Sequence, residues 1–489
     1  MQEQKNEKVT FNIDKEKNFS EWFQEIVPKA ELADIRYNVK GFIVYQPWSV
    51  ISMEKIYQLT EQLLQKNSHK PYWFPAVIPE KNFHLEKEHV EGFSPEVFWV
   101  TEGGETKLEE KLALRPTSET AFYQMFALWI RSHNDLPLKT YQRAQVFRYE
   151  TKATRPFLRS RELYWIETHC AFSSQEEAEQ QVQQDMQMTK QILFEEMCIP
   201  FIFFERPQWD KFAGAVKTFA ADALMPDGKV MQLPSTHLLG ENFSKPFNVK
   251  FTDEKEIERH PVTTCWGPCT SRNFAAMIAV TGDNNGLIFP FNLAPVQVII
   301  IPIAIEKNKK IKETAIKIQK ELLELGLRVE IDFSDKKLGE KFYFWEMKGI
   351  PLRIEFGEKE LKAKKATVFR RDNKEKKQIA FVQLKKQIPL IGKALTDALK
   401  KKSANAFEKN IIEANSVIDV SKALGSGKIA KANFCSIELI GEKCAEQLEK
   451  QVQGAQVRGI RIDKNELPKG NCIVCGKTAT KVVYIARSY

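Results

Sequence analysis

The chain has 489 residues, 43% of them hydrophobic and 28% charged, with a formal net charge of +9. That length calls for two to three domains, and the composition excludes a largely disordered chain. No apolar run approaches the ~20 residues that cross a bilayer, and the N-terminal stretch MQEQKNEKVTFNIDKEKNFSEW has neither a signal-peptide core nor a transit-peptide composition, so a cytoplasmic protein with no membrane partner is expected.

Residues 48–66 read as a helix with Ile56, Leu59 and Leu63 on one face. YWFPAVIP (72–79) reads as a strand, confined by its proline to an edge or an interface. In RPTSETAFYQMFALWIRS, Phe122, Met125, Phe126 and Trp129 repeat at helical spacing, and Pro116, Thr117 and Ser118 sit where that helix begins. TYQRAQVFRYE and LRSRELYWIETHCAF alternate as two strands of an antiparallel hairpin, joined by the basic loop TKATRPF. A polar amphipathic helix spans 174–197.

From about 296 the pattern changes. The strand PVQVIIIPI, the helix KIKETAIKIQKELLELG closed by Gly326, the strand LRVEID, the helix GEKFYFWEMKG and the strand PLRIEFG predict a small α/β unit with a largely parallel core. A Lys-rich third unit runs from about 395 to CIVCGKTATKVVYIARSY at the end. Lys clusters at 305–313, 361–377 and 399–403 favour a polyanionic partner, although each alone is equally well a solvated helix face. Eight cysteines in so long a chain do not make a disulfide scaffold.

The sequence has no Gly-rich phosphate loop and no HIGH or KMSKS pair. A nucleotide would have to be held by side chains, and arginine suits that because its fork grips phosphate or carboxylate at two points and never loses its charge. Arg148 on the strand entering the basic loop, Arg159 on the strand leaving it, and Arg272 before a small-residue helix are placed for the task. Taken singly, each is more often a surface or salt-bridge residue.

FPAVIPE, VFRYE with its loop and FLRSRE, and the segment around Arg272 resemble the three signature motifs of class II aminoacyl-tRNA synthetases. LRPTSET, RPFLRSRELYWIETHCAF, KFAGAV, MQLPSTHLLGENFSKPF and the terminal RSY narrow the resemblance to the prolyl-tRNA synthetase family of archaeal and eukaryotic type, from about residue 20 to the end. It implies an α/β (α+β) architecture with an antiparallel-sheet catalytic domain (1–285), an α/β anticodon-binding domain (286–395) and a small C-terminal zinc-type α+β domain (396–489). The implied activity is activation of L-proline with ATP and Mg²⁺, then transfer to tRNA(Pro), by a homodimer with Pro75 in its interface.

The resemblance also assigns residues. Arg148 and Arg272 would be catalytic, gripping the α-phosphate and covering the nucleotide. Glu150 would read the adenine amino group, Phe157 stack beneath the base, and Arg159 neutralise the distal phosphates, with Ser160, Gln232, Ser235 and Thr270 completing the ATP site. Thr117 and Glu119 would accept the ammonium of proline beside Arg148, and Trp165, Glu167, His169 and His237 would wall its pocket. Glu346, Arg353 and Lys359 would meet the anticodon, whose guanines offer acceptors to Arg or Lys and donors to a carboxylate. Cys435, Cys444, Cys472 and Cys475 would hold a structural Zn²⁺; the CxxC knuckle suits tetrahedral thiolate ligation, and the other pair is spaced more widely than usual.

Each assignment has a plainer counterpart: Glu119 complementing a helix dipole, Trp165 as ordinary core, the histidines as structural groups, and two of the cysteines as free thiols. Between Trp266 and Arg272 the chain carries one residue more than the family pattern, and Leu233, Pro234 and Thr281 also depart from it. The interval between Glu167 and Arg272 leaves no room for an inserted editing domain. A proline pocket rejects alanine by only ~1–3 kcal/mol, so mischarged tRNA would have to be cleared by another protein. The alternatives are another class II synthetase of the same subgroup, a non-catalytic tRNA-binding relative, or a plain basic RNA-binding protein.

Overall fold

A computed structural model describes residues 11–83, 97–151 and 153–489. Helix α1 (Pro47–Lys66) opens with proline at its first turn, where the missing N–H costs nothing. It buries Met53, Ile56, Tyr57 and Leu63 against the same core that holds Phe274 and Met277. Strand β1 (Lys70–Pro71) is a two-residue edge. The strand expected over 72–79 is only partly formed: Val77–Pro79 pairs with Thr106–Leu114, and the residues between belong to no strand. Pro75 has no N–H to give a ladder. Instead the Arg115 guanidinium takes the Phe74 carbonyl at 2.8 Å, and the Phe74 ring stacks on Phe122 at 3.9 Å.

Helix α2 (Glu119–Trp129) buries Phe122, Tyr123 and Phe126. Strands β2 (Leu138–Phe147) and β3 (Glu162–Phe172) pair antiparallel along ten residues from Leu138↔Ala171 to Phe147↔Glu162, as the alternation predicts. Arg159 lies within the connecting loop rather than on the outgoing strand, because the loop closes on itself through an Arg155–Arg159 bridge. Helix α3 (Gln175–Lys190) is capped by the Ser174 side chain. It is followed by β4 (Ile202–Glu205), β5 (Lys217–Leu224), β6 (Lys229–Gly240), β7 (Val262–Trp266) and helix α4 (Thr270–Thr281). Between β3 and β7 the described residues form only α3, a π-helical turn, β4–β6 and a two-stranded ribbon, with no inserted domain.

Strand β8 (Val298–Pro302), helix α5 (Lys309–Leu323), β9 (Val329–Ile331), α6 (Leu338–Met347), β10 (Leu352–Phe356), β11 (Lys365–Arg370) and β12 (Lys376–Ala380) form a five-stranded unit in the order β9–β8–β10–β11–β12. The first three strands are parallel, as the βαβ pattern predicts. The last two add antiparallel. Ile300, Ile311, Leu352, Ile354 and Leu384 share its core. Helix α7 (Phe381–Glu408) runs unbroken through the boundary expected at 395/396.

Strands β13 (Ile411–Ala414), β14 (Ile429–Phe434), β15 (Gln456–Arg461) and β16 (Lys481–Ser488), with a helix over Val417–Gly425 and helix α8 (Glu442–Gln451), complete the chain. They do not form a separate sheet. One eleven-stranded sheet runs β13–β14–β16–β15–β4–β5–β6–β7–β3–β2–β1, so the C-terminal strands extend the catalytic one. One joint is the parallel pairing of β16 with β6 at Lys229↔Arg487 and Val230↔Ser488; the other is the antiparallel pairing of β15 with β4 at Ile460↔Glu205 and Arg461↔Phe204. Gly459 makes it possible: at φ +123° it brings its backbone so near that a Cβ would sit 2.0 Å from the Glu205 carbonyl oxygen.

Candidate active site

The sheet pleat assembles the site. Thr140, His169, Cys265, His237 and Thr218 face one another in a single row across β2, β3, β7, β6 and β5. Trp165, Glu167 and His169, at successive alternate positions of β3, all line the same cleft. Opposite them α2 delivers Thr117 and Glu119 from its start, and α4 delivers Arg272. The cleft encloses about 220 Å³ and is also lined by Arg148, Gln232, Ser235 and His237. A contiguous cavity of about 360 Å³ shares Gln232 and Arg272 and adds Arg159 and Leu158.

The inner end is acidic and dry. Glu119 is 3% exposed, and the donors on its carboxylate are the Thr117 hydroxyl at 2.5 Å and the Cys265 thiol at 3.6 Å. No Lys or Arg among the described residues pairs with it. A buried carboxylate without a counter-ion is costly, so the site is prepared for a cation. Glu167 beside it is satisfied by Ser118 at 2.5 Å, Gln142 at 2.7 Å and His169 at 3.3 Å. Burial pushes its pKa up, but the His169 hydrogen bond leads the opposing contacts, which hold it below the ordinary value. His237 bridges Thr218 and Ser235, each at 2.9 Å; burial lowers its pKa to about 3, leaving it a neutral hydrogen-bonding wall. Burial raises the Cys265 thiol far above its ordinary range, with Glu119 adding to the effect, so it stays protonated.

The outer end is cationic. Arg148 donates to the Pro116 carbonyl at 3.2 Å and lies 5.3 Å from the Trp165 ring centroid. Arg159 faces Glu150 at 3.5 Å, and Arg272 donates to the Leu158 carbonyl at 3.3 Å.

Four expected residues stand apart from this lining, and one of them, Glu150, reaches it through its ion pair with Arg159. Phe157 is fully buried at φ +62°, with its ring against Tyr45 at 5.0 Å and Phe274 at 5.4 Å. It is fixed in the core, so Leu158 rather than Phe157 presents the apolar surface there. Ser160 and Thr270 are also buried. Residues not anticipated from the sequence include Asp210, Lys211, Phe212, Cys265 and, from the C-terminal strands, Gln456, Arg458, Ser488 and Tyr489. The segments KFAGAV and RSY were the available signal, but no individual role could be read from them.

The expected anticodon residues are not presented as one exposed set. Arg353 is buried between Phe342 and Phe369, at 4.0 and 4.2 Å, and paired with Glu355 at 2.7 Å. Glu346 faces Asn285 and Lys374, and Lys359 is exposed beyond the end of β10. The sulfurs of Cys435, Cys444, Cys472 and Cys475 lie within 4.8 Å of one another. Four thiols so close, with no disulfide among them, fit a tetrahedral Zn²⁺.

Three family models match in succession: tRNA synthetase class II core domain (G, H, P, S and T) over 98–281, anticodon binding domain over 297–389, and prolyl-tRNA synthetase, C-terminal, over 418–489. A proline–tRNA ligase of Thermofilum pendens is 46% identical over 98% of both chains, and one of Methanopyrus kandleri is 42% identical over 96% of both. The prolyl-tRNA synthetase of Giardia lamblia, solved with prolyl-adenylate, superposes with a TM-score of 0.95 at 35% identity, covering 98% of this chain and 100% of that one. The Cryptosporidium parvum enzyme, solved with halofuginone and AMPPNP, gives 0.93 at 33% identity, covering 98% and 99%.

Behind the pocket wall, Asp185 of α3 is fully buried and accepts from Gln181 and Thr236, each at 2.7 Å. Burial raises its pKa from 3.8 to about 7. The folded protein therefore holds this proton more tightly than the unfolded chain, and stability falls as pH rises through that window, by about 2 kcal/mol between pH 5 and 7. Asp185→Asn should flatten the decline of the melting temperature over that interval relative to wild type; parallel pH profiles for the two proteins would exclude this role.

Proposed function

The chain belongs to the prolyl-tRNA synthetase family, and we propose that Arg148 and Arg272 are the catalytic residues of its cleft. The reaction is the ATP-dependent activation of L-proline to prolyl-adenylate and its transfer to the 3′ end of tRNA(Pro). The observation that carries the residue assignment is the polarity of the cleft. An unpaired buried carboxylate, Glu119, lies at one end and three guanidiniums lie toward the other. That arrangement suits an amino acid held by its ammonium, with its carboxylate delivered toward a polyphosphate.

In this reading Glu119 and Thr117 accept the two N–H bonds of the proline ammonium, with Trp165, Glu167, His169 and His237 around the ring. Arg148 holds the proline carboxylate against the α-phosphate. A carboxylate oxygen attacks the α-phosphorus, the bond to the bridging oxygen breaks, and pyrophosphate leaves. Arg148 and Arg272 stabilise the charge gathering on the phosphate oxygens, while Arg159 faces the distal phosphates. Mg²⁺ bound to ATP supplies further neutralisation of those phosphates. A terminal ribose hydroxyl of tRNA then attacks the activated carbonyl, and AMP departs. Positioning does most of the work, since no side chain need form a covalent intermediate. Glu150, Gln232 and Ser235 border the nucleotide. Ser160 and Thr270 support it from beneath, and Phe157 supports the floor from the core.

The unit at 297–389 would take the anticodon through Glu346, Arg353 and Lys359, with Arg353 leaving its ion pair with Glu355 to reach a base. Pro75 follows Trp73, 91% exposed, and Phe74, whose ring lies 6.0 Å from that of Trp129, itself 37% exposed; these exposed apolar side chains support a homodimer. The described residues contain no helix long and apolar enough to cross a membrane, in keeping with a cytoplasmic enzyme. The domain division at 285/286 and 395/396 places α7 as the element shared between the second and third units.

Proline should drive ATP–pyrophosphate exchange, and Arg148→Ala or Arg272→Ala should lower kcat/KM by about 10²–10³. Exchange driven better by threonine, serine, glycine or histidine would overturn the proline assignment. In the same assay alanine should give weaker but measurable exchange. The four cysteines should bind one equivalent of Zn²⁺ by atomic emission, and Cys472→Ser should lower both zinc content and melting temperature; a metal-free wild type of equal stability would refute the site. Sedimentation should show a dimer that Trp73→Glu weakens, and a monomeric wild type at micromolar concentration would refute the interface.

A further inference from the structure

Gln232 stands at the end of a chain of buried polar contacts that begins in the C-terminal strands. Arg206, directly after β4, has a fully buried side chain. Its Nη2 donates to Asp222 Oδ1 at 2.6 Å and to Gln232 Oε1 at 3.0 Å. Its Nη1 donates to Asp222 Oδ2 at 3.2 Å and to the Arg458 backbone carbonyl at 2.9 Å. Arg458 of β15 closes the group, donating through Nε to Asp222 Oδ2 at 2.7 Å and through Nη2 to Oδ1 at 3.4 Å. One carboxylate thus holds two guanidiniums, that of Arg206 fully enclosed and that of Arg458 at the edge of the cavity. The Arg206 Nε is buried without a partner, but removing the carboxylate would leave both guanidiniums as uncompensated buried charges, and that holds the group together.

The chemistry of the contacts fixes a direction. A guanidinium only donates, so the end of the Gln232 amide that faces Arg206 must be its oxygen. The amide nitrogen, which has no partner among the described residues, is left on the cleft side. There Gln232, Arg458, Arg159 and Arg272 line one cavity.

We infer that Arg206, held by Asp222 and by Arg458 of the C-terminal strands, sets the Gln232 amide so that its NH₂ donates to an oxygen of ATP. Arg458 is then a positioning residue for nucleotide binding, supplied by a segment more than two hundred positions away in the chain. This rests on the reading of the cleft as the ATP site. A merely architectural triad would lower stability and affect both substrates alike; a positioning triad affects ATP alone.

The test uses the full-length protein, with ATP and proline varied separately in pyrophosphate exchange and melting temperature measured in parallel. Arg458→Met should raise the KM for ATP by about tenfold, the effect of one lost hydrogen bond to a charged partner, with the KM for proline unchanged. Arg458→Lys, which keeps the charge and loses the fork, should give a smaller rise. Gln232→Glu keeps an acceptor for Arg206 but turns an anion toward the nucleotide, and should raise the ATP KM further without lowering the melting temperature. An unchanged ATP KM in Gln232→Glu, or equal rises for ATP and proline in the Arg458 variants, overturns the inference. If Arg458→Met does not fold, Arg458→Lys and Gln232→Glu decide it. Failure of proline to drive exchange in wild type would instead strike the reading of the cleft, and calorimetric ATP binding by the same variants would still test the relay.

Discussion

The pleat of the antiparallel sheet is the constraint on which the site depends. Side chains two apart on β3 share a face, and β7 and β6 add theirs in register, so His169, Cys265 and His237 meet side by side across three strands. A one-residue slip of any of these strands would turn its contribution to the opposite face. Within the row the Thr140 hydroxyl donates to the His169 carbonyl at 2.5 Å, fastening β2 to β3, and the Trp266 indole N–H reaches Thr189 at 2.9 Å, fastening β7 to α3. The cleft is therefore built largely on strands and helix starts, with Arg159 and the 210–212 segment contributed by loops.

Charge is then distributed along this rigid face with little compensation inside it. Glu167 is given a full set of donors, whereas Glu119 is left with a hydroxyl and a thiol. Neutral His237 and the protonated Cys265 add no competing charge. The result is a cleft with an unpaired carboxylate at its inner end and guanidiniums toward its mouth. Such preorganisation is valuable because groups already oriented require no rearrangement as charge develops.

The C-terminal strands change how the catalytic unit should be regarded. Their sheet is continuous with it through β15 and β4, and the joint buries Arg206, Asp222 and Arg458 together. Tyr489 also lines the outer cavity, and its hydroxyl donates to Asp227 at 2.9 Å. A segment that looks like an appendix along the chain is thus part of the wall of the cleft, and the same segment carries the thiol cluster.

Much was legible in the residues alone. Helical spacing in α2, alternation in β2 and β3, and the strand–helix succession after 296 are local patterns, and they formed as read. Motif strings carried the family, and with it the arginines, Glu119 and the pocket residues of β3. What remained hidden was decided by partners remote in sequence. Nothing near Phe157 says that its ring turns into the core, since that depends on Tyr45 and Phe274 occupying the space beside it. Nothing near Gly459 says that it lies against Glu205, and nothing near Arg458 names Asp222. Strand pairing and ion burial are satisfied only when distant segments meet. Periodicity reports which face of an element is apolar, but only the assembled sheet decides what that face, and the charges at its edge, will touch.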